Sequence, residues 1–425
     1  MGEFMKYRER RSVRELVRQY APPGVRRAVQ SFRHSVKGPP IYRTELGAYR
    51  FAPDDDPALR LTLVLPSVAR RSAFGGITTG IAAFRGIGAC LRASVPCDLR
   101  IITTMPEGLP ADSLVPKDAG IAVQPGCVRL SEVSVREREV FFAYNWMSCL
   151  NLVPLIDEQR KHFGTERRPL FYIVQDYEPA FYGFSADNLL ARESLEVDWP
   201  LRPIVNSSLL ADYMTLQGHS FEKQYVFEPK LTETLRPFVD VARTTQKERK
   251  ILVYGRPTIG RNCFPLIEDA LKIWVRQYPD HHKWTVLSVG ERHPPVPLGA
   301  NRHLRSLGKL DLKGYAELLC SSAIGVSLMA SPHPSYPPLE MAHFGVRVLT
   351  NRYANKDLST AHENIVSVRN PQPVILAEQL ERLCRDFEAN PKAGAQAASF
   401  MPGYITDSAF PLAAEIASDI RAALQ

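Results

Sequence analysis

The sequence predicts an α/β protein made of two doubly wound, Rossmann-like units that face each other across a cleft. Three observations predict it. From Leu61 onward, short continuously apolar runs alternate with helix-length stretches, the pattern of parallel strands covered on both faces. The alternation breaks once, at the polar stretch 231–250, and then restarts by the same rule. The chain has 425 residues, 45% apolar and 23% charged, enough for two or three domains with full cores.

Residues 1–50 read as a basic extension, with the tetrapeptide "MGEF" (1–4) reading as an expression leftover. Residues 1–38 hold ten Lys/Arg against Glu3, Glu9 and Glu15, so seven of the chain's eight net positive charges lie there. Val13, Leu16, Val17 and Tyr20 fall at helical spacing. A basic amphipathic helix around these residues suits an anionic membrane surface, reached through residues 5–38, and a solvated helix or arm is the alternative reading. The remainder is nearly neutral with no basic patch, so no nucleic acid is expected as partner. No secretory signal or membrane span is evident; the longest uncharged run, 140–156, is broken by Asn145, Ser148, Asn151 and Pro154. The expected location is cytoplasmic, peripheral at the inner face of the cytoplasmic membrane. Seven cysteines without metal-ligand spacing predict buried thiols, neither zinc nor disulfides.

The first unit is expected over 51–240, with strands at 61–66, 99–104, 139–145, 170–176, 203–207 and 225–229 and helices at 76–92, 148–161, 185–195 and 208–217. The stretch 231–250 reads as a linker. The second unit is expected over 241–405, with strands at 251–255, 284–290, 303–308, 324–330, 346–351 and 364–368 and helices at 264–278, 312–321, 338–344 and 373–388. A final amphipathic segment occupies 406–425. Ligands of doubly wound sheets bind beside the loops that follow the strands, so those loops hold the chemistry.

Gly75 and Gly76 precede a helix expected from Ile77, where bare backbone N–H groups can approach an anion; a plain turn is the alternative. Gly255, Arg256 and Arg261 lie in "GRPTIGRN", and two guanidinium groups beside a helix N-terminus suit a diphosphate. Lys309 follows the strand at 303–308 as a third cation or as a surface lysine, and Asp311 is the N-cap of the next helix. Four prolines in "SPHPSYPP" make a rigid loop after 324–330, with Pro337 and Pro338 in the first turn of a helix. Glu340 is expected in that first turn, complementing the helix dipole or accepting from a ribose hydroxyl, and Gly345 ends the helix. In "QDYEPAFYGF", Asp176 and Glu178 are carboxylates for an acceptor hydroxyl, and Tyr177, Phe181 and Tyr182 can stack on sugar faces.

The layout resembles the retaining glycosyltransferases of the GT-B fold, family 4, whose Glu-x7-Glu motif places its second glutamate on the nucleotide ribose. Glu340 matches that position; Pro332 stands where the first would fall, leaving His333 or backbone amides to replace it. "YIVQDYEPAFY", "YGRPTIGRN", "SLGKL" and "SPHPSYPPLEMAHFGVRVLTN" are similar to the WsaF-type rhamnosyltransferases of bacterial surface-glycan assembly. The resemblance implies a dTDP-β-L-rhamnose donor, with Arg256, Arg261, Glu340 and the proline loop at the family's donor positions. The expected donor-binding residues are then Gly75, Gly76, Gly255, Arg256, Arg261, Lys309, Ser335, Tyr336, Pro337 and Glu340, and the last segment is expected as a crossover helix packing back on the first unit. The resemblance also implies catalytic roles for Asp176, Arg256, Arg261 and Lys309, no metal or other cofactor, retention of configuration, and a glycan or lipid-linked saccharide acceptor at Asp176, Glu178 and Tyr182. The product is then a surface polysaccharide of O-antigen or S-layer type. A nucleotide-sugar epimerase of the same fold, or a non-catalytic membrane or nucleic-acid-binding scaffold, are the rival readings.

Overall fold

The structure is a computed structural model. It describes residues 46–47, 49–70, 75–105, 112–116, 118–124, 130–406 and 410–425. The basic stretch 5–38 lies outside the described residues.

The first unit runs β1 (Arg50–Asp54), β2 (Leu59–Leu65), α1 (Gly75–Arg92), β3 (Cys97–Thr103), β4 (Ile121–Gln124), β5 (Glu132–Arg136), β6 (Glu139–Ala143), α2 (Trp146–Phe163), β7 (Leu170–Val174), α3 (Ala186–Glu193), β8 (Leu201–Asn206), α4 (Ser208–Leu216) and β9 (Tyr225–Phe227). Seven strands form one parallel sheet in the order β4-β3-β2-β6-β7-β8-β9. The strands are apolar throughout because both faces are covered: Leu61, Leu63 and Leu65 of β2 enter one core and Val64 the other.

The second unit runs α5 (Arg236–Thr244), β10 (Glu248–Gly255), α6 (Phe264–Gln277), β11 (Thr285–Gly290), β12 (Val296–Gly299), β13 (Arg302–Gly308), α7 (Leu312–Ser321), β14 (Ser322–Val326), α8 (Tyr336–His343), β15 (Arg347–Asn351), β16 (Ile365–Val368), α9 (Pro373–Ala389) and α10 (Ala393–Gln396). Its sheet has the order β12-β13-β11-β10-β14-β15-β16 and is parallel apart from the edge strand β12. The last helix, α11 (Ala413–Ala423), packs on α1 of the first unit. Ile416, Ala417 and Ile420 join the first unit's core, and Asp419 on its polar side pairs with Arg202 and accepts from the Tyr225 hydroxyl at 2.5 Å.

The structure corrects several expectations. The linker 231–250 contains a helix, α5, and the start of β10. Leu231, Leu235, Val239 and Ala242 recur at helical spacing and are buried, while charged residues on the other faces give the stretch its polar composition. Strands β1, β4, β5 and β12 were not expected; β1 and β5 pair only with each other. β14 ends at Val326, and the segment beyond it is held by Ser327 N–H on Leu349 O and Ala330 N–H on Arg261 O. α8 starts at Tyr336, two residues early, so Glu340 lies in its second turn and the dipole reading falls away.

Candidate functional site

The carboxyl ends of the two sheets meet through side chains. On the second unit's wall, β10 delivers Gly255 and the loop with Arg256 and Arg261. A Cβ at Gly255 would sit 2.3 Å from Ser288 Oγ and 2.7 Å from the Phe264 ring, so only glycine lets the loop leave the sheet this close to α6. Thr258 closes the loop by donating its N–H and hydroxyl to Glu291, at 3.1 and 2.8 Å. Arg256 is hydrogen-bonded to Tyr254. The Arg261 guanidinium lies 4.0 Å over the Phe181 ring, its Nε 3.8 Å from Asp176 Oδ2 and without a hydrogen bond. Burial, followed by Asp176 in the opposite sense, leaves the Arg261 pKa below its usual value.

Lys309 extends from the end of β13 and donates to Arg70 O of the first unit at 3.3 Å. Burial first, then the charge on Arg256, lowers its pKa, which places the two cations within each other's field. Asp311 caps α7 by accepting from Gly314 N–H at 2.7 Å.

The proline loop is tied down from within and from across the cleft. Ser331 donates to Asp176 Oδ1 and accepts from His333 N–H at 3.0 Å. Ser335 N–H donates to His333 Nδ1 at 3.0 Å, so the imidazole carries its proton on Nε2, which is buried and has no partner. Burial pushes His333 down to about 4, and it is neutral. Ser335 has φ +69°, a left-handed conformation that serine rarely adopts. Ser207, Cys263 and Ala354 also have positive φ, and all four lie beyond carboxyl ends of strands. Pro337 is buried in the first turn of α8. Tyr336 crosses the cleft, its hydroxyl 2.9 Å from Asn206 Nδ2 and 3.2 Å from Thr79 Oγ1. Glu340 is 9% exposed and accepts from the Tyr315 hydroxyl at 3.1 Å; burial raises it to about 7 against that hydrogen bond.

On the first unit's wall, α1 begins at Gly75 rather than after Gly76. A Cβ at Gly76 would lie 2.8 Å from the Tyr144 hydroxyl, so glycine lets the helix start against the sheet. Asp176 reaches the opposite wall, as described. Glu178 does not: its Oε2 accepts from Trp146 N–H of α2 at 2.6 Å and from the Tyr172 hydroxyl at 2.8 Å. Burial raises its pKa to about 7. Glu178 caps the first turn of α2 here. Tyr182 accepts from Trp146 Nε1 at 3.0 Å. Tyr177 is buried in the core against Tyr213, its hydroxyl 3.1 Å from His219 Nε2, and cannot stack on a sugar.

Sequence reasoning missed Lys356. It follows β15, is 1% exposed, and donates to Met329 O at 2.9 Å; burial lowers its pKa to about 8 against the field of Asp176. The rule that loops after strands hold the chemistry covers it, but "NRYANKDL" carries no other signal. Asn206 and Gln175, at the ends of β8 and β7, were missed likewise.

The chain matches the family descriptions "WsaF, N-terminal domain" over residues 60–208 and "WsaF, C-terminal domain" over 249–381. The O-antigen biosynthesis protein RfbC of Myxococcus xanthus is 32% identical over 203 residues; the match covers 48% of this chain and spans only 15% of that relative's length. Among solved structures, OtsA superposes with a TM-score of 0.55 at 12% identity, covering 85% of this chain and 99% of OtsA. HepE of Anabaena, solved with UDP, gives 0.54 at 12% over 86% and 98%. WaaG, described as a glycosyltransferase involved in lipopolysaccharide biosynthesis, gives 0.52 at 15% over 85% and 99%. At these identities the structural likeness shows the fold.

Proposed function

The chain belongs to the WsaF family of GT-B glycosyltransferases, and from that premise we propose that it transfers L-rhamnose from dTDP-β-L-rhamnose, with retention, onto a growing surface polysaccharide. The observation that carries the reading is the convergence at one cleft of Arg256, Arg261 and Lys309 with the buried Glu340 and, from the opposite sheet, Asp176. Glu340 accepts from the donor's ribose hydroxyls, an exchange that favours its ionised form. The two guanidinium groups and Lys309 take the diphosphate.

As the glycosidic bond breaks, the departing nucleotide diphosphate gains negative charge. Fixed cations that need no reorganisation lower that barrier, each donor lost typically costing ~3–4 kcal/mol. We assign this work to the three cations rather than to a metal ion. His333 Nε2–H, neutral and unpartnered, supplies the sugar contact that the family's first glutamate would make at Pro332. Asp176 orients the acceptor hydroxyl for attack on the face the nucleotide leaves, and closure of the two units excludes water as a competing acceptor. Residues 5–38 would hold the enzyme on anionic membrane near a lipid-linked acceptor, each basic residue contributing about 1 kcal/mol.

The test is a panel of nucleotide sugars offered with and without lipid-linked saccharide, in the presence and absence of a chelator. The expected result is acceptor-dependent, chelator-insensitive transfer from dTDP-β-L-rhamnose, with NMR of the product giving the retained anomer. Turnover of donor without acceptor into an epimer would replace this reading with the epimerase.

A further inference from the structure

Gln175 and Asn206 stand just past β7 and at the end of β8, neighbouring strands whose carboxyl ends face the proline loop. Asn206 is fully buried. Its Nδ2 donates to Gln175 Oε1 at 3.0 Å and to the Tyr336 hydroxyl at 2.9 Å. Two atoms of the pair are left over: Asn206 Oδ1 and Gln175 Nε2 are buried and make no hydrogen bond. Turning both amides over does not cure this. Two carboxamides that share one hydrogen bond leave one amide oxygen and one amide nitrogen for something else, whichever way each is drawn.

An unpaired buried acceptor beside an unpaired buried donor is costly in a folded protein, so the pair calls for a partner that both donates and accepts. The backbone beneath is unusual too, since Ser207, immediately after Asn206, has φ +106°. α1 lies alongside: a Cβ at Gly76 would make an ordinary contact, 3.5 Å, with Gln175 Cγ.

We infer that Gln175 and Asn206 form a subsite for a neutral pyranose, one amide N–H donating to, and one amide oxygen accepting from, hydroxyls on the ring. The inference rests on the glycosyl-transfer reading above. Each sugar hydroxyl is donor and acceptor at once, so adjacent hydroxyls match an amide pair. The pair carries no charge, and so it selects an uncharged sugar over a uronic acid or a free phosphate. The Tyr336 hydroxyl on Asn206 comes from the donor-side loop, and Asp176 adjoins Gln175 on the acceptor side, so the ring is either the donor's or the acceptor's.

Two arms separate these sources, using the full chain and the variants Gln175→Met and Asn206→Leu, with thermal melting as the control for folding. In the donor arm, calorimetry compares dTDP with dTDP-β-L-rhamnose, UDP with UDP-glucose and GDP with GDP-mannose. A donor-sugar subsite predicts that the variants keep the wild-type affinity for the bare nucleotide and lose about 10-fold in affinity for the matching nucleotide sugar. In the acceptor arm, saturation-transfer NMR is run with L-rhamnose, D-glucose, D-mannose and D-galactose in the presence of the bound nucleotide. An acceptor subsite predicts unchanged donor affinities and loss of the free-sugar signal. Folded Gln175→Met protein unchanged in both arms overturns the subsite, as does an equal loss for bare nucleotide and nucleotide sugar. Wild-type protein that binds no nucleotide sugar of the panel overturns the glycosyl-transfer reading itself, and the subsite with it.

Discussion

The first unit buries polar side chains at both ends of its sheet, and the two ends are built differently. Toward the amino ends, Glu139 accepts four hydrogen bonds: from Thr62 and Arg100 on Oε1, and from Arg60 and the Arg136 N–H on Oε2. Arg100 adds contacts to Thr62, Gln124 and Ser134, and Arg136 reaches Asp54, Asp56 and Asp98. Arg60 Nε is the one atom of these three arginines and Glu139 that stands without a partner. At the carboxyl ends, Asn206 Oδ1, Gln175 Nε2, and across the cleft Arg261 Nε, His333 Nε2 and Asn262 Oδ1, are all buried without hydrogen bonds. The charges at the amino ends are paired inside the protein apart from that one nitrogen, and they belong to the fold. The unfinished polar groups that face one another at the cleft are where an entering ligand can pair.

The comparison breaks most visibly, or holds, at Glu139. Glu139→Ala leaves Arg60 and Arg100 buried with their shared carboxylate gone, a loss of roughly 3–5 kcal/mol for a buried pair stripped of one partner. The expected outcome is a large drop in unfolding free energy by denaturant titration, with nucleotide affinity intact in whatever protein remains folded. Next in size are the arginines of the cleft. Arg256→Ala and Arg261→Ala are expected to lower kcat by about 100- to 1,000-fold while leaving the denaturant midpoint nearly unchanged. Arg→Lys should restore only part, because lysine lacks the planar fork. Steady-state kinetics decide: a raised donor KM with intact kcat would make the arginines a binding device only.

Glu340 gives a pH test of the same contrast. Its folded pKa, about 7, is above the ordinary carboxyl value, so the folded state holds a proton that the unfolded state has released. The stability this contributes is complete below pH about 4.5 and lost as pH rises through about 7. Glu340→Gln keeps the shape and removes the titration. Relative to wild type the variant should therefore gain stability, by about 1–3 kcal/mol, between pH 4.5 and 8 in the absence of nucleotide, and thermal melts across that range will show it. With the nucleotide the order reverses: the ionised wild type accepts the ribose hydroxyls, and the variant binds dTDP more weakly. Parallel melting curves for the two proteins at all pH values would show that the Glu340 carboxyl does not titrate in the cleft as described.

The sequence made one side of this contrast more legible than the other. The long periodic segments read well: the helix expected at 312–321 is observed at Leu312–Ser321, and that at 76–92 as Gly75–Arg92. Short strands such as "IAVQ" and "VPLG" lack length and alternation, and α5 hid its apolar stripe in a charged composition. The cleft loops were legible because they follow strands. Their partners across the cleft were not, since Ser331 and Asp176 meet over 155 residues of chain and no local period encodes that distance. Glu178 shows the cost of reading a loop alone: an acid two residues from Asp176 turned out to cap α2. The arginine and glutamate cluster at the amino ends left no motif at all, because its members come from different strands.

The smallest effect is the most discriminating. Lys356 is as buried as Glu139, yet its ammonium has three donors and a single hydrogen-bond acceptor, Met329 O. If unfinished groups do not hold the fold together, Lys356→Met should change the stability of the empty protein at pH 7 by only about 0–1 kcal/mol, because the substitution removes the desolvation cost along with the one hydrogen bond. The pH dependence has a definite sign. The folded pKa, about 8, is below the ordinary lysine value of 10.5, so between those pH values the unfolded chain holds the proton and the native chain does not. Wild-type stability should then rise with pH through that window, and Lys356→Met should abolish the rise. Donor turnover should fall in the variant, since a cation in the field of Asp176 is lost from the cleft. Denaturant midpoints at pH 7 and pH 9.5 measure the stability change and its pH dependence, and steady-state kinetics measures the turnover. A loss above about 2 kcal/mol at pH 7 would place Lys356 with Glu139 among the structural ions, and incomplete hydrogen bonding would no longer separate the cleft from the amino-end cluster.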